Sequence, residues 1–167
     1  MFAAGEQHPV PVIVGSNANE MTSLTPRAAV PTTLEALKTY VGREYKGLEA
    51  EFAKVYPAAT DADAGEAFLA SARDRAFTWQ MRTWAREMTK AGVPAYLYFF
   101  SRIPPVGDHA YNRAFHAAEI AYVFGNLDAA RGFTGTDRAL SEAMSSYWVN
   151  FAATGDPNGD GLEIWPV

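Results

Sequence analysis

The stretch VPVIVGSNANEMTSL, residues 10–24, decides how the rest of the chain is interpreted. Its first six residues are apolar and rich in β-branched side chains, which predicts a buried strand over residues 10–15. A polar turn follows, and it ends in a single carboxylate, Glu20. Open α/β sheets place ligand and catalytic groups beyond the carboxyl ends of their strands, so Glu20 is a candidate site residue. The competing interpretation is a cap or surface glutamate, which this stretch alone favours because such glutamates far outnumber catalytic ones.

A second apolar run, VPAYLYFF, predicts a strand over residues 94–100 that is covered on both faces, as in a parallel sheet. Between the two strands, apolar residues recur at helical spacing from Asp63 to Lys90, with Asp63 and Glu66 placed as an N-terminal cap and Gly92 as the residue that ends the helix. This order of strand, helix and strand predicts a parallel crossover.

Further helices are predicted on either side of this unit. One spans about residues 33–45 behind a Thr32–Glu35 capping spacing, and a shorter one stops before Pro57. Two more follow the second strand, a short one around HAAEIAYVFG and a last one that ends at Gly155. Because two strands cannot form a sheet that buries both faces, we expect a helix-rich α/β fold whose sheet is completed by N-terminal sequence outside the chain. Residues 1–167 are then one incomplete domain.

Composition excludes several classes of function. The chain has 167 residues, of which 49% are hydrophobic and 20% charged, as in a globular domain. The 14 basic and 19 acidic residues form no run of like charge, which argues against a nucleic-acid or polybasic membrane surface. There is no cysteine, so disulfides and thiolate chemistry are excluded. The apolar runs are shorter than the ~20 residues of a membrane helix, which predicts a soluble chain in an undecided compartment.

His116 lies in AFHAAEIAYVFGNL, just after the second strand and its proline-rich loop. It therefore belongs at the same sheet edge as Glu20 and could act as a general base if a carboxylate fixed its tautomer. Two alternatives stay open at this point: a core histidine, or a metal site on a helix face shared with Glu119, three residues on. Metal is the weaker of these, because His8 and His109 are the only other histidines and neither forms a ligand set with carboxylates.

Four blocks together resemble the C-terminal part of the type-B carboxylesterase family, which includes para-nitrobenzyl esterases and cholinesterases. They are VPVIVGSNANE, the element Asp74-Arg-Ala-Phe77, AFHAAEIAYVFGNL, and AMSSYWVNFAATGDPNG followed by Trp165-Pro166. Each block alone is a weak signal. Their order and their spread over nearly the whole chain make the resemblance specific.

The resemblance implies an α/β-hydrolase whose triad runs serine, acid, histidine along the chain. By similarity Glu20 is the acid, His116 is the histidine, Glu119 has a buried supporting role and Asp74 is structural. The acid turn departs from the family pattern, since Asn19 stands where aspartate is usual and Met21 where glycine is frequent. Because the acid itself is retained, we expect the departure to change the local geometry of the turn more than the role of Glu20.

No G-x-S-x-G occurs in the 167 residues, and no HGGG-type segment supplies oxyanion donors. We therefore expect these residues to be the C-terminal piece of an esterase. The intact esterase would hydrolyse carboxylic esters with a serine from elsewhere, without metal or cofactor, and the piece alone would be inactive. Its expected partners are a small ester and the N-terminal part of the same esterase, in the same or a separate chain, or a second copy bound through exposed strands. The rival function is a non-catalytic binding or adhesion module on the same scaffold.

Overall fold

A computed structural model describes residues 4–167. Two parallel strands, β1 (Val12–Asn17) and β2 (Ala95–Phe100), pair in register from Val12 opposite Ala95 to Asn17 opposite Phe100. This confirms the predicted parallel crossover. The first strand lies two residues further along the chain than predicted, because Ser16 and Asn17 are buried in the ladder although they are polar.

The described residues also form eight α-helices. They are α1 (Glu20–Leu24), α2 (Leu34–Glu44), α3 (Glu49–Val55), α4 (Asp61–Arg73), α5 (Trp79–Lys90), α6 (His109–Asn112), α7 (Ile120–Val123) and α8 (Gly135–Thr154). The last helix ends at Gly155 in a left-handed conformation, as predicted. The cap of α2 is Thr33 and not Thr32, since the Thr33 hydroxyl accepts from the Ala36 N–H.

The long helix predicted over residues 63–90 is divided by a π-helical turn. This turn, Asp74–Thr78, joins α4 to α5 and adds a residue to the helical repeat, which an apolar spacing cannot reveal. The cap was also predicted in part wrongly: Thr60 and Asp63 form the capping box, whereas Glu66 pairs with Arg113. The helix predicted around residue 116 is limited to α7, because Ala117 has a positive φ of 69° that a helix cannot contain.

Helices pack against part of each face of the strands. On one face α5 packs through Ala85 and Met88 against Val14 and Ala95. On the other face the aromatic residues of β2 meet α8, where the rings of Tyr98 and Trp148 are 5.5 Å apart.

The prediction that β2 is covered on both faces is wrong for this chain. Leu97 is 42% exposed and Phe99 is 53% exposed, and both alternate with buried residues along the strand. The open area is what a sheet shows when further elements would extend over it. Within residues 4–167, none of the helices combines the length and the apolar character needed to cross a membrane.

Candidate active site

Glu20 and His116 meet at the carboxyl-terminal edge of the two strands. Glu20 is the first residue of α1 and follows β1 after a two-residue turn, and its Oε2 lies 2.7 Å from Nδ1 of His116. The carboxylate side chain is 5% exposed, whereas the imidazole is 44% exposed. The pair therefore combines a buried acid with a histidine that remains open to a ligand.

The contact fixes the tautomer of the histidine. An ionised carboxylate only accepts hydrogen bonds, so the neutral His116 ring carries its proton on Nδ1 and leaves Nε2 as an acceptor. The second oxygen of Glu20, Oε1, accepts from the backbone N–H of Asn17 at 2.7 Å. With both oxygens engaged, the carboxylate holds one orientation, which is the arrangement that a general base requires from its acid.

The loop that carries His116 is bonded to the turn that carries Glu20. The N–H of Asn19 donates to the carbonyl of Ala114 at 3.0 Å, and the Ala114 N–H donates to Oδ1 of Asn19 at 3.2 Å. Asn19 is the residue that departs from the aspartate usual in the resembled family. Its side-chain oxygen accepts a backbone hydrogen bond here, which the oxygen of an aspartate could also do.

The backbone around His116 is unusual for non-glycine residues. Arg113 has a φ of 50° with a ψ of −131°, and Ala117 has a φ of 69°, so both have a positive φ that non-glycine residues rarely adopt. Such positions cost of order 1–3 kcal/mol each and persist only where the surroundings enforce them. The ring itself packs beside Phe77 of the π turn, with centroids 5.3 Å apart.

Glu119 contacts Asn17 and Tyr98 instead of the histidine. Its carboxylate accepts from the side-chain amide of Asn17 and, at 3.5 Å, from the hydroxyl of Tyr98. Burial, together with the charges of Glu119 and Glu20, raises the pKa of Tyr98, so this hydroxyl stays protonated and can donate. The helix-face pair of His116 and Glu119 considered above does not form, because Ala117 breaks the helix between them.

Asp74 lies away from His116 and stabilises the acid turn indirectly. It accepts from the hydroxyl of Tyr56 at 2.9 Å and from Nε of Arg73 at 2.7 Å. Another nitrogen of Arg73 donates to the carbonyl of Ala18, the first residue of the turn, at 2.9 Å. The aspartate thus orients an arginine that binds the backbone of the acid turn.

Sequence reasoning missed two polar centres. Asn17, with its contacts to Glu20 and Glu119, is hidden in an apolar strand pattern. Asp137 is completely buried and binds Arg102 through both oxygens at 2.7 and 3.0 Å, and also the hydroxyl of Tyr122 at 2.7 Å. Its one sequence signal is the capping-box spacing from Thr134 to Asp137, which is present in the structure.

Two other features of the site concern metal ligands and hydroxyl nucleophiles. Across residues 4–167 there is no group of three or more histidine, cysteine, aspartate or glutamate residues arranged to hold a metal ion. Within the same range no hydroxyl group hydrogen-bonds to the His116 ring, and the hydroxyl of Ser16 pairs with that of Thr78 at 3.2 Å. The residues present therefore form an acid and a base whose Nε2 faces away from the acid.

Comparison with known proteins gives a consistent result. The Carboxylesterase family model matches residues 1–167. The chain is 32% identical to a fumonisin B1 esterase of Sphingopyxis macrogoltabida over 99% of its length, and 33% identical over 94% of its length to a medium-chain fatty acyl-CoA hydrolase precursor of Anas platyrhynchos. It covers 32% of each of these proteins, so the chain spans about a third of the length of the curated relatives it matches.

Solved structures agree with the sequence matches. A thermophilic PNB esterase superposes on 99% of the chain with a TM-score of 0.71 and 27% identity, and the chain covers 34% of that structure. A second PNB esterase structure gives a TM-score of 0.70. These matches confirm the expected fold class, part of an α/β-hydrolase fold with two parallel strands. The chain belongs to the carboxylesterase family.

Proposed function

We propose that this chain supplies the acid and the histidine of a Ser–Glu–His triad in an enzyme that hydrolyses carboxylic esters. The observation that carries the proposal is the 2.7 Å contact between a buried Glu20 carboxylate and Nδ1 of a half-exposed His116. This contact leaves Nε2 free to take a proton from a nucleophile. Membership of the carboxylesterase family supports the reaction class.

The proposed reaction proceeds in two halves. A serine from sequence outside this chain attacks the ester carbonyl, and His116 takes the hydroxyl proton on Nε2 and returns it to the leaving alcohol, which leaves an acyl-enzyme. Water then attacks the acyl group with the same base, and the carboxylic acid and the free serine are released. Glu20 stabilises the imidazolium in both halves. The cycle uses no metal or organic cofactor.

The remaining groups belong to sequence outside the 167 residues. Backbone N–H donors there would hold the oxyanion, a contribution of roughly 2.7–4 kcal/mol per donor in comparable sites. Within the chain we assign Glu119 a supporting role beside the acid and Asp74 a structural role through Arg73. The substrate class supported by the family is small carboxylic esters.

We further propose that residues 1–167 are an incomplete domain whose partner is the N-terminal part of the same esterase, in the same or a separate chain. The exposed apolar residues Leu97 and Phe99 on β2, and Trp79 at 65% exposure, support this partner. Self-association of the chain through the strand edges is the alternative. Light scattering that finds a well-behaved monomer in dilute solution would contradict both.

Mutation of the pair tests the proposed function in the esterase that contains these residues. Glu20→Gln and His116→Ala should each lower kcat for para-nitrophenyl acetate by orders of magnitude, whereas His109→Ala, at an exposed histidine, should leave it unchanged. A folded Glu20→Gln or His116→Ala enzyme with near wild-type kcat would contradict the assignment. A parent protein without any ester hydrolysis would favour a non-catalytic binding or adhesion module instead.

A further inference from the structure

Asn17, the last residue of β1, contacts both carboxylates of the site. Its backbone N–H donates to Oε1 of Glu20 at 2.7 Å. Its side-chain Nδ2 donates to Oε2 of Glu119 and, at 2.8 Å, to the carbonyl of Phe115. The residue is 1% exposed. Because both groups that face Nδ2 are acceptors, the amide keeps Nδ2 towards them, although this leaves Oδ1 buried without a hydrogen-bond partner.

We propose that Asn17 is a positioning residue for the His116 base, an inference that rests on the proposed function. Its amide binds the loop on both sides of His116, at Phe115 immediately before it and at Glu119 three residues after it. Its backbone meanwhile holds the oxygen of Glu20 that does not touch the histidine. One residue thus connects the acid and the loop of the base, independently of the direct contact between them.

Charge makes the amide difficult to replace. Glu20 is buried and Glu119 is partly buried, both next to Asn17, and a carboxylate shielded from water that loses a donor has a desolvation cost. The other donor to Glu119 is the hydroxyl of Tyr98, at the long distance of 3.5 Å. Without the amide, we expect the Glu119 carboxylate to move towards other donors and to displace the loop that orients His116.

The test exchanges the donor and the acceptor. Asn17→Asp keeps the shape of the side chain but places a carboxylate against Glu119. Combining Asn17→Asp with Glu119→Gln restores one donor and one acceptor in the reverse direction at unchanged total charge. The matched control is Asn150→Asp, because the Asn150 amide also donates to two backbone carbonyls, at 3.2 and 3.4 Å, in the turn after α8.

Two measurements compare these variants with the wild type. In the parent esterase, proton NMR follows the Nδ1–H resonance of His116, assigned by its absence in His116→Gln. In the parent esterase, kcat and KM for para-nitrophenyl acetate are measured. Asn17→Asp should remove or shift the resonance and lower kcat about 10- to 100-fold with KM changed less than about twofold, as expected for misplacement of a catalytic group. The double variant restores the contact with residue 119 but not the one with Phe115, so it should recover part of both, and Asn150→Asp should change neither.

Each outcome decides the inference. A folded Asn17→Asp esterase that keeps the wild-type resonance and kcat would overturn it, and so would a double variant that is no better than Asn17→Asp alone. If Asn17→Asp does not fold, Asn17→Ser, which is neutral and too short to reach both acceptors, is judged by the same two readouts. The expected NMR changes in a parent protein without ester hydrolysis would contradict the proposed function while supporting the positioning role.

Discussion

Glu20 and His116 are 96 residues apart in the sequence, and their side chains meet at 2.7 Å. The parallel pairing of β1 and β2 explains this, because it brings the carboxyl ends of both strands to one edge of the sheet. Glu20 follows β1 after two residues, and His116 follows β2 after a fifteen-residue segment that includes α6. The crossover through α4 and α5 therefore builds the pair, and the residues that enforce its geometry are open to test.

Gly15 is expected to be required for the position of Tyr98. A Cβ atom at residue 15 would lie 2.3 Å from the Tyr98 ring, so Gly15→Ala must displace the ring and weaken its contact with Glu119. Denaturant unfolding should show a loss of about 1–3 kcal/mol, as for an overpacked core. Gly42→Ala is the control, since a Cβ there meets nothing within 4 Å and should stabilise α2 by about 0.5–1 kcal/mol. Equal effects of the two changes would contradict the steric argument.

The left-handed backbone of Ala117 predicts an unusual pattern of tolerance next to His116. Ala117→Val should lower the free energy of unfolding by at least about 1–2 kcal/mol, because a β-branched side chain fits this region poorly. Ala117→Gly should be tolerated, since glycine adopts positive φ without a steric penalty. Urea denaturation of both variants measures the difference. A valine variant as stable as the glycine variant would show that residue 117 does not have this conformation in solution.

Asp137 is predicted to stabilise the region behind the site. The Arg102 guanidinium, together with the Thr134 and Tyr122 donors, holds the pKa of the Asp137 carboxyl well below its usual range. Asp137→Asn should therefore cost about 2–3 kcal/mol at pH 7, less than for a fully buried pair because Arg102 is partly exposed. The loss is measured by denaturant unfolding, with the exposed Asp160→Asn as control.

The same carboxyl predicts how stability depends on pH. A folded pKa below the unfolded value of about 3.9 gives stability that is fully present above pH 4 and declines as the pH falls below it. Asp137→Asn should therefore lose less stability than the wild type between about pH 4 and 2. If the free energy of unfolding falls equally with pH in the two proteins, protonation of Asp137 does not cause the loss of stability.

The 167 residues alone are predicted to have negligible esterase activity. The chain contains an acid and a base but no G-x-S-x-G serine for them to activate. Hydrolysis of para-nitrophenyl acetate by the purified chain should therefore match that of its His116→Ala variant. A rate well above this control would mean that a serine within the chain acts as nucleophile.

Much of this architecture could be predicted from the sequence. The apolar runs indicate both strands and their parallel order, and Gly155 indicates the end of α8. The meeting of Glu20 with the His116 loop follows from the order of the strands and from the four family blocks. These features depend on local patterns or on sheet topology, which a single sequence records.

Other features depend on contacts between distant segments, which a single sequence does not record. The burial of Asn17 in β1 is possible because Phe115 and Glu119 satisfy its amide, about a hundred residues away. The π turn at Asp74–Thr78 and the positive φ of Ala117 likewise leave no apolar signature. Exposed strands were expected of an incomplete sheet, but the sequence did not identify Leu97 and Phe99 as the exposed positions, because the strand pattern describes a strand covered on both faces.

If Glu20 and His116 activate a serine as proposed, the rate of serine phosphonylation should depend on both residues. The parent esterase is treated with a fluorophosphonate, and intact-protein mass spectrometry follows the formation of the adduct. We expect a single seryl adduct in the wild type. The rate of its formation should be about 10³-fold lower in His116→Ala and also strongly reduced in Glu20→Gln. A folded His116→Ala enzyme that is phosphonylated at the wild-type rate would contradict the proposal.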